Sequence, residues 1–232
     1  MIPALDILAR GEHWLAVNKP AGLSVHESSY TGPLQQTVLG ILRHQLGQAR
    51  VHAVHRLDHA TSGVLLLALD ARVAARLSAQ FESRAVAKEY LAVVRGEPSD
   101  EFVVDHALAG ADGRGATKAA LTRFRTLARL RLPIPLLRHP EARYALIEAH
   151  PESGRHHQIR RHLKHAAHPV VGDVQYGKGE HNRLFRQHYD VHRLLLHARA
   201  LHFVDPDGAP VCVQAPLDAQ FARVVALFDT GA

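Results

Sequence analysis

Residues 55–63, His-Arg-Leu-Asp-His-Ala-Thr-Ser-Gly, place Arg56 and the carboxylate of Asp58 two positions apart, directly before the apolar run 64–69. Thr, Ser and Gly favour a turn, because the hydroxyls bond the backbone and glycine tolerates unusual torsion angles. The six apolar residues predict a strand that is buried on both faces. A charged pair at the edge of a core is costly unless it has partners. From the residues alone, the segment is either a functional site or a loop salt bridge that closes a turn.

A cluster of histidines raises the separate possibility of a metal site. Its members are His156, His157, His162, His165 and His168. None of their spacings is the four-residue interval of paired zinc ligands on a helix, and no acidic residue lies among them. A histidine-rich metallohydrolase is therefore disfavoured. The glycine-rich stretch 110–118 lacks the Gly-Lys-Ser/Thr order of a phosphate loop, and we interpret it as a surface loop.

The pattern His-Arg-Leu-Asp-x-x-Thr-Ser-Gly resembles the signature of the large pseudouridine synthase family, which modifies ribosomal and transfer RNA. Further matches follow in the order found in that family. They are Asn18-Lys19-Pro20-x-Gly22, a lysine and tyrosine at positions 88 and 90, and Gln-Ile-Arg at 158–160. Together these matches extend over roughly residues 7 to 204, which is most of the chain.

The resemblance implies an α+β pseudouridine synthase fold, with a mixed, mainly antiparallel sheet flanked by helices and a central active-site cleft. It implies a reaction in which the bond from ribose to N1 of uracil breaks and the base is rejoined through C5. That reaction needs no redox change, so no cofactor and no metal is expected. It further implies that Asp58 is the carboxylate near the anomeric carbon, as nucleophile or as the base that removes a sugar proton. Both roles stay open.

The same resemblance implies roles for other residues. Arg160 would pair with Asp58 and keep it ionised, since a close cation lowers the pKa of a carboxylate. Arg56 would fill the place of the uridine that is extruded from the RNA stack. Tyr90 would stack on the flipped base and could act as a general base. Ile159, where the family usually has leucine, would contact the other face of the base.

Four basic residues are expected to contact RNA phosphates: Lys88, Arg155, His157 and Arg161. Any basic helix presents such residues, and Tyr90 also fits an ordinary half-buried strand position. Residues 172–177 and 193–198 resemble the branch of the family that modifies uridine 65 of transfer RNA. The alternatives are a synthase for ribosomal RNA, or for both ribosomal RNA and a tRNA anticodon stem, and a non-catalytic RNA-binding protein on the same fold.

Local patterns predict the elements that position these residues. Apolar residues four apart from position 73 to 81 predict a helix that begins after Asp70, a natural N-cap. Further helices are predicted at 37–46, 154–163 and 217–228, and strands within 7–18 and at 88–96, 119–132, 144–150 and 201–203. The polar stretch 174–192 is predicted to be a loop. Strands outnumber helices and are mostly joined by turns, which favours a largely antiparallel α+β domain.

Composition sets the remaining expectations for this 232-residue chain. The net charge of +6, with 23 arginines against five lysines, favours a polyanionic partner such as RNA, although a GC-rich genome also raises the arginine count. A single cysteine, Cys212, excludes an internal disulfide. No membrane span or secretory signal is evident. We therefore expect a cytoplasmic monomer without an obligate protein partner, and one catalytic domain over 1–232 without a separate N-terminal RNA-binding module.

Overall fold

The computed structural model describes residues 4–27, 36–47, 50–110 and 116–229. Within them lie five helices: α1 Val38–Leu46, α2 Ala71–Glu82, α3 Gln158–His165, α4 Gly179–Tyr189 and α5 Ala219–Asp229. The strands of the same residues are β1 Ile7–Arg10, β2 Trp14–Lys19, β3 His52–Ala53, β4 Ser62–Ala68, β5 Ala87–Arg95, β6 Glu101–Asp105, β7 Leu121–Leu132, β8 Ala142–Pro151, β9 Leu196–Val204 and β10 Pro210–Gln214. The core of the glycine-rich stretch, 111–115, lies outside the described residues.

The first of two units contains residues 1–88 and 198–216. Its strands follow the order β1-β2-β4-β9, with β3 beside β4 and β10 beside β9. Every residue of β4 is buried, as the apolar run predicted. One face of this sheet packs on α2 through Leu66, Leu77 and Phe203. The predicted cap of α2 is confirmed, since the Asp70 carboxylate accepts the N–H groups of the helix's second and third residues.

The second unit contains residues 89–197 and 217–232, with the strand order β5-β8-β7-β6. Neighbouring strands in this order pair in the antiparallel orientation. Its core gathers Tyr144, Phe185 and Phe221 from β8, α4 and α5. A bulge between Thr126 and Ala128 shifts the register of β7. Side chains before and after the bulge therefore exchange faces of the sheet.

The predicted fold class is confirmed, because the strands form a mainly antiparallel sheet and five helices accompany it in the described residues. The prediction of a loop at 174–192 is wrong, since α4 occupies Gly179–Tyr189. Its sequence is mostly polar, and only Leu184 and Phe185 provide buried apolar side chains. Such a short stripe gives no periodic signal, so tertiary packing stabilises this helix.

None of the helices in the described part of the chain is long and apolar enough to cross a membrane. The interpretation of the whole chain as a single catalytic domain stays a prediction.

Candidate active site

Asp58 lies in the first unit, in the segment that joins β3 to β4. Its carbonyl accepts the N–H of Thr61 at 3.0 Å, which closes the predicted turn. Gly63 follows in a left-handed conformation with φ of 112°. A Cβ atom at this position would clash with the backbone of Ala198. The glycine of the motif is therefore required by close backbone approach as well as by torsion angle.

His55 anchors the start of the motif to β4. Its Nε2 accepts the backbone N–H of Leu66 at 2.9 Å, and its ring stacks on Phe81 with centroids 4.4 Å apart. Burial, with the positive charge of Lys88 as a smaller contribution, lowers the pKa of His55 to about 3. The ring is thus neutral at physiological pH and remains an acceptor. No role for this histidine is predicted from the sequence.

Lys19 is fully buried, and its ammonium group meets three carbonyl oxygens. Its Nζ donates to Pro20 at 2.8 Å, to Leu23 at 2.8 Å and to His59 at 3.2 Å. His59 is the immediate neighbour of Asp58. A buried ammonium is tolerated only when its donors are satisfied, and these three acceptors tie the first motif to the turn.

Two further contacts join the first motif to His59. The His59 carbonyl accepts the N–H of Gly22 at 2.9 Å, and the Ser24 hydroxyl hydrogen-bonds His59 Nδ1 at 2.9 Å. Gly22 has a φ of 79°, which favours glycine. The first motif, for which the resemblance implies a structural role, thus braces the Asp58 turn.

The other predicted residues in this part of the chain, up to position 90, are more exposed than Lys19. Arg56 is exposed, and Lys88 is partly buried at the start of β5. Burial and the charge of Arg84 lower the pKa of Lys88 to about 8. Tyr90, two residues on, belongs to the second unit, is partly buried and lies opposite Ala149 in β8.

In the second unit, Gln158 fixes the beginning of α3. Its Oε1 accepts from the Ser153 hydroxyl at 2.7 Å and from the Arg155 N–H at 3.0 Å. Its Nε2 donates to the carbonyl of Leu121 at 3.0 Å and to Thr122 Oγ1 at 3.1 Å. A buried amide with both ends satisfied holds the turn before α3 against β7. Gln158 was part of a motif, but its role was not predicted.

Arg160 forms a buried, two-pronged ion pair with Asp173. Its Nε donates to Oδ2 at 2.7 Å and its Nη2 to Oδ1 at 2.9 Å, and the side chains are 7% and 0% exposed. Burial alone would raise the pKa of Asp173. Hydrogen bonds from Arg160 and from the backbone N–H groups of Tyr176 and Gln175 outweigh it, so the pKa lies below its usual range.

The remaining predicted residues lie on or just before α3. Ile159 is 6% exposed and belongs to the interior. Arg155 Nε donates to the Ala119 carbonyl at 3.3 Å, and Arg161 Nη1 to the Ala109 carbonyl at 2.8 Å. Five predicted residues therefore lie in one short stretch of the sequence, at or just before the start of α3: Arg155, His157, Ile159, Arg160 and Arg161. Their roles toward RNA, and the pairing of Arg160 with Asp58, stay predictions.

The described residues contain no group of three or more His, Cys, Asp or Glu side chains arranged to hold a metal ion. His162 from the histidine cluster serves the fold instead. Its two ring nitrogens hydrogen-bond Thr122 Oγ1 at 2.9 Å and the His106 carbonyl at 3.0 Å.

Comparison with known proteins agrees with the motifs. The family model for RNA pseudouridylate synthases matches residues 13–165. The tRNA pseudouridine synthase C of Pectobacterium carotovorum is 44% identical over 97% of this chain, which spans 62% of the length of that relative. The protein of the same name from Vibrio parahaemolyticus is 40% identical, with 97% of this chain and 95% of the relative covered.

A solved structure shares the fold. Human RNA Pseudouridylate Synthase Domain Containing 1 superimposes with a TM-score of 0.73 at 25% identity, covering 98% of this chain and 96% of the human one. The resemblance that the motifs indicated is therefore confirmed. The chain belongs to the RNA pseudouridylate synthase family.

Proposed function

We propose that this protein is a tRNA pseudouridine synthase, which isomerises one uridine of folded tRNA without a cofactor. The observation that carries this proposal is the similarity to the Vibrio tRNA pseudouridine synthase C along nearly the full length of both chains. The finer assignment to uridine 65 rests on the sequence of residues 172–177 and 193–198. The protein would act as a cytoplasmic monomer, which a dimer mass in sedimentation would contradict.

In this proposal Asp58 is the catalytic carboxylate, acting on the anomeric carbon as nucleophile or on a sugar proton as base. Such a group must be held in place while the glycosidic bond breaks. The main chain of the turn around Asp58 is held accordingly, because the Asp58 carbonyl accepts the Thr61 N–H and the carbonyl of the next residue, His59, accepts from Lys19. The support from geometry therefore concerns positioning, and the support for chemistry comes from the family motif.

Arg160 is proposed to keep Asp58 ionised, as the motif Gln158-Ile159-Arg160 implies. Nε and Nη2 of the guanidinium are bound by Asp173. The pair with Asp173 also supports the role, because arginine stays charged in a buried setting when its edge is satisfied by a carboxylate.

The target base is proposed to lie between Tyr90 and Ile159 after extrusion, with Arg56 filling the vacated place in the RNA. Lys88, Arg155, His157 and Arg161 would bind phosphates. The half-buried state of Tyr90 and the exposure of Arg56 are compatible with these roles. Each assignment rests on a match to the family motif at that position.

The test is carbodiimide-adduct primer extension on tRNA and ribosomal RNA treated with the wild type, Asp58→Ala and the control Asp207→Ala. Asp207 lies exposed in a turn between β9 and β10. We expect one new stop in tRNA with the wild type and the control, and none with Asp58→Ala. A stop in ribosomal RNA or an anticodon stem would replace the proposed substrate by one of the alternatives.

Binding of tRNA without any stop would favour the non-catalytic RNA-binding protein. That hypothesis has a specific weakness, since a retired enzyme has no need of a charged centre that costs free energy to maintain. A primer-extension stop that appears with the wild type and disappears with Asp58→Ala would contradict the non-catalytic alternative.

A further inference from the structure

Tyr176, in the turn between α3 and α4, lies against two cations of α3. The centroid of its ring is 5.1 Å from Cζ of Arg160 and 5.7 Å from Nζ of Lys164. Both distances are within the range at which a cation is attracted to the face of an aromatic ring. The tyrosine therefore contacts the residue that the proposed function places beside the catalytic carboxylate.

The hydroxyl of the same tyrosine reaches His157. It hydrogen-bonds Nδ1 at 3.1 Å, and the two rings are nearly perpendicular at 79°. His157 has a φ of 52°, a left-handed conformation that costs free energy for a residue other than glycine. The hydroxyl thus fixes a side chain that projects from an unusual backbone.

The turn that carries Tyr176 is braced by hydrogen bonds within the turn and to Asn182 of α4. Oδ1 of Asp173 accepts the Tyr176 N–H at 2.9 Å, and the Asp173 carbonyl accepts from Asn182 Nδ2 at 2.9 Å. The Gly177 N–H donates to the same carbonyl at 3.1 Å, where a Cβ on Gly177 would clash. These bonds fix the backbone of the turn, and the Asp173 carboxylate of the same turn also binds Arg160.

Asp173 and Tyr176 constrain different motions of one guanidinium. The carboxylate fork holds two nitrogens along the edge of the Arg160 guanidinium, which fixes its position in the plane. Cζ of the same guanidinium lies over the Tyr176 ring, so the ring limits movement of the guanidinium toward the turn. We propose that Tyr176 is a positioning residue, whose ring orients Arg160 and whose hydroxyl orients His157. Its consequence for catalysis rests on the proposed function, in which Arg160 serves Asp58 and His157 binds RNA.

The ring and the hydroxyl of Tyr176 should affect different quantities, the rate of the reaction and the affinity for tRNA. Tyr176→Leu removes the ring contact, and we expect the single-turnover rate at saturating tRNA to fall roughly tenfold. Tyr176→Phe keeps the ring, so the rate should stay near that of the wild type while the Kd for tRNA rises about threefold. A matched control is Tyr189→Leu, at the end of α4, whose ring contacts Phe185 and His188. It should leave rate and Kd unchanged.

A second readout does not depend on activity. The Arg160 Nε–H is buried and bonded to Asp173, so its NMR signal should exchange slowly with solvent. We expect faster exchange in Tyr176→Leu and wild-type exchange in Tyr176→Phe and Tyr189→Leu. Unchanged exchange and rate in Tyr176→Leu would overturn the proposal. If the wild type forms no pseudouridine, the proposed function fails, and the exchange comparison still decides whether Tyr176 orients Arg160.

Discussion

Asp58 in the first unit and Arg160 in the second are held in different ways. The described bonds around Asp58 fix its neighbours: His55 accepts a strand N–H, and the His59 carbonyl accepts from Lys19. Arg160 is instead held through its own side chain, by Asp173. In the proposed function both groups need a fixed position. Hydrogen bonds of adjoining residues contribute to it at Asp58, and an ion pair contributes to it at Arg160.

The difference predicts unequal costs of disruption. Removing one member of a buried ion pair leaves an uncompensated charge, whereas removing a donor to carbonyl groups leaves polar atoms unsatisfied. Loss of the Arg160–Asp173 ion pair should therefore lower the free energy of unfolding more than loss of the Lys19 ammonium group.

The largest effect is expected for Asp173→Asn. It removes the charge that faces the buried Arg160 while keeping the size of the side chain, and the free energy of unfolding should fall by about 3 kcal/mol. Urea denaturation followed by circular dichroism measures this. Asp100→Asn is the matched control, since Asp100 is 85% exposed beside Arg129, and its cost should be below about 1 kcal/mol. Equal costs for the two variants would show that burial does not set the energy of the pair.

A smaller effect is expected for Lys19→Met. The variant keeps the apolar stem of the lysine but removes the donor to three carbonyl oxygens, at a cost of about 2 kcal/mol. Hydrogen exchange should increase in residues 20–24 and 58–61 and remain unchanged in α3. Lys118→Met changes an exposed lysine and should be neutral. Unchanged protection from hydrogen exchange around His59 in Lys19→Met would contradict the role of Lys19 in holding this turn.

The pH dependence of stability should reveal His55. Its pKa is about 3 in the folded state and near 6.5 when unfolded, so the unfolded state binds more protons between these values. Stability is then full above pH 6.5 and falls as the pH decreases, by about 1–2 kcal/mol between pH 7 and pH 5. His55→Gln can keep an acceptor for the Leu66 N–H but cannot titrate. Urea denaturation at both pH values should show a smaller loss for the variant, and an identical loss would exclude His55 as its source.

The smallest effect is expected for tRNA binding by Arg161→Ala. Its control is a second arginine of the same unit, Arg131. Arg161 donates to a carbonyl, whereas Arg131 in β7 is paired with Glu97 at 2.7 Å. Arg161→Ala should weaken tRNA binding about threefold and reduce the salt dependence by about one phosphate contact. Arg131→Ala should change neither quantity. Fluorescence anisotropy at several salt concentrations measures both variants, and equal losses would show that paired arginines bind RNA as well.

Local patterns predicted much of the fold because they do not depend on distant residues. The burial of β4 and the cap of α2 follow from an apolar run and from Asp70. Helix α4 could not be predicted, because its stability depends on Phe185 packing against Tyr144 from another element, with centroids 4.7 Å apart.

The candidate site shows the same limit. The resemblance to the family predicted Asp58 and Arg160 as site residues, but not the contacts that brace their surroundings. Lys19 reaches His59 across 40 positions, and Asp173 lies 13 positions after Arg160. Such contacts depend on the tertiary structure, and no periodicity in a single sequence encodes them.

Composition was the least specific guide to RNA binding. The arginines of β7 lie within ion-pair distance of acidic side chains: Arg123 of Glu152, Arg125 of Glu148, Arg129 of Asp100 and Arg131 of Glu97. These pairs are internally compensated. A count of arginines therefore overstates the charge that remains for a polyanion.

The most direct test of the account is the release of tritium from C5 of labelled uridine in tRNA, measured in a single turnover. Pseudouridine formation frees this hydrogen because C5 becomes bonded to ribose. We expect the wild type to release it, and Asp58→Asn to lose the rate by roughly 1000-fold or more, since a catalytic group is removed, while tRNA affinity is kept. Release at the wild-type rate by Asp58→Asn would contradict the assignment of Asp58 as the catalytic carboxylate.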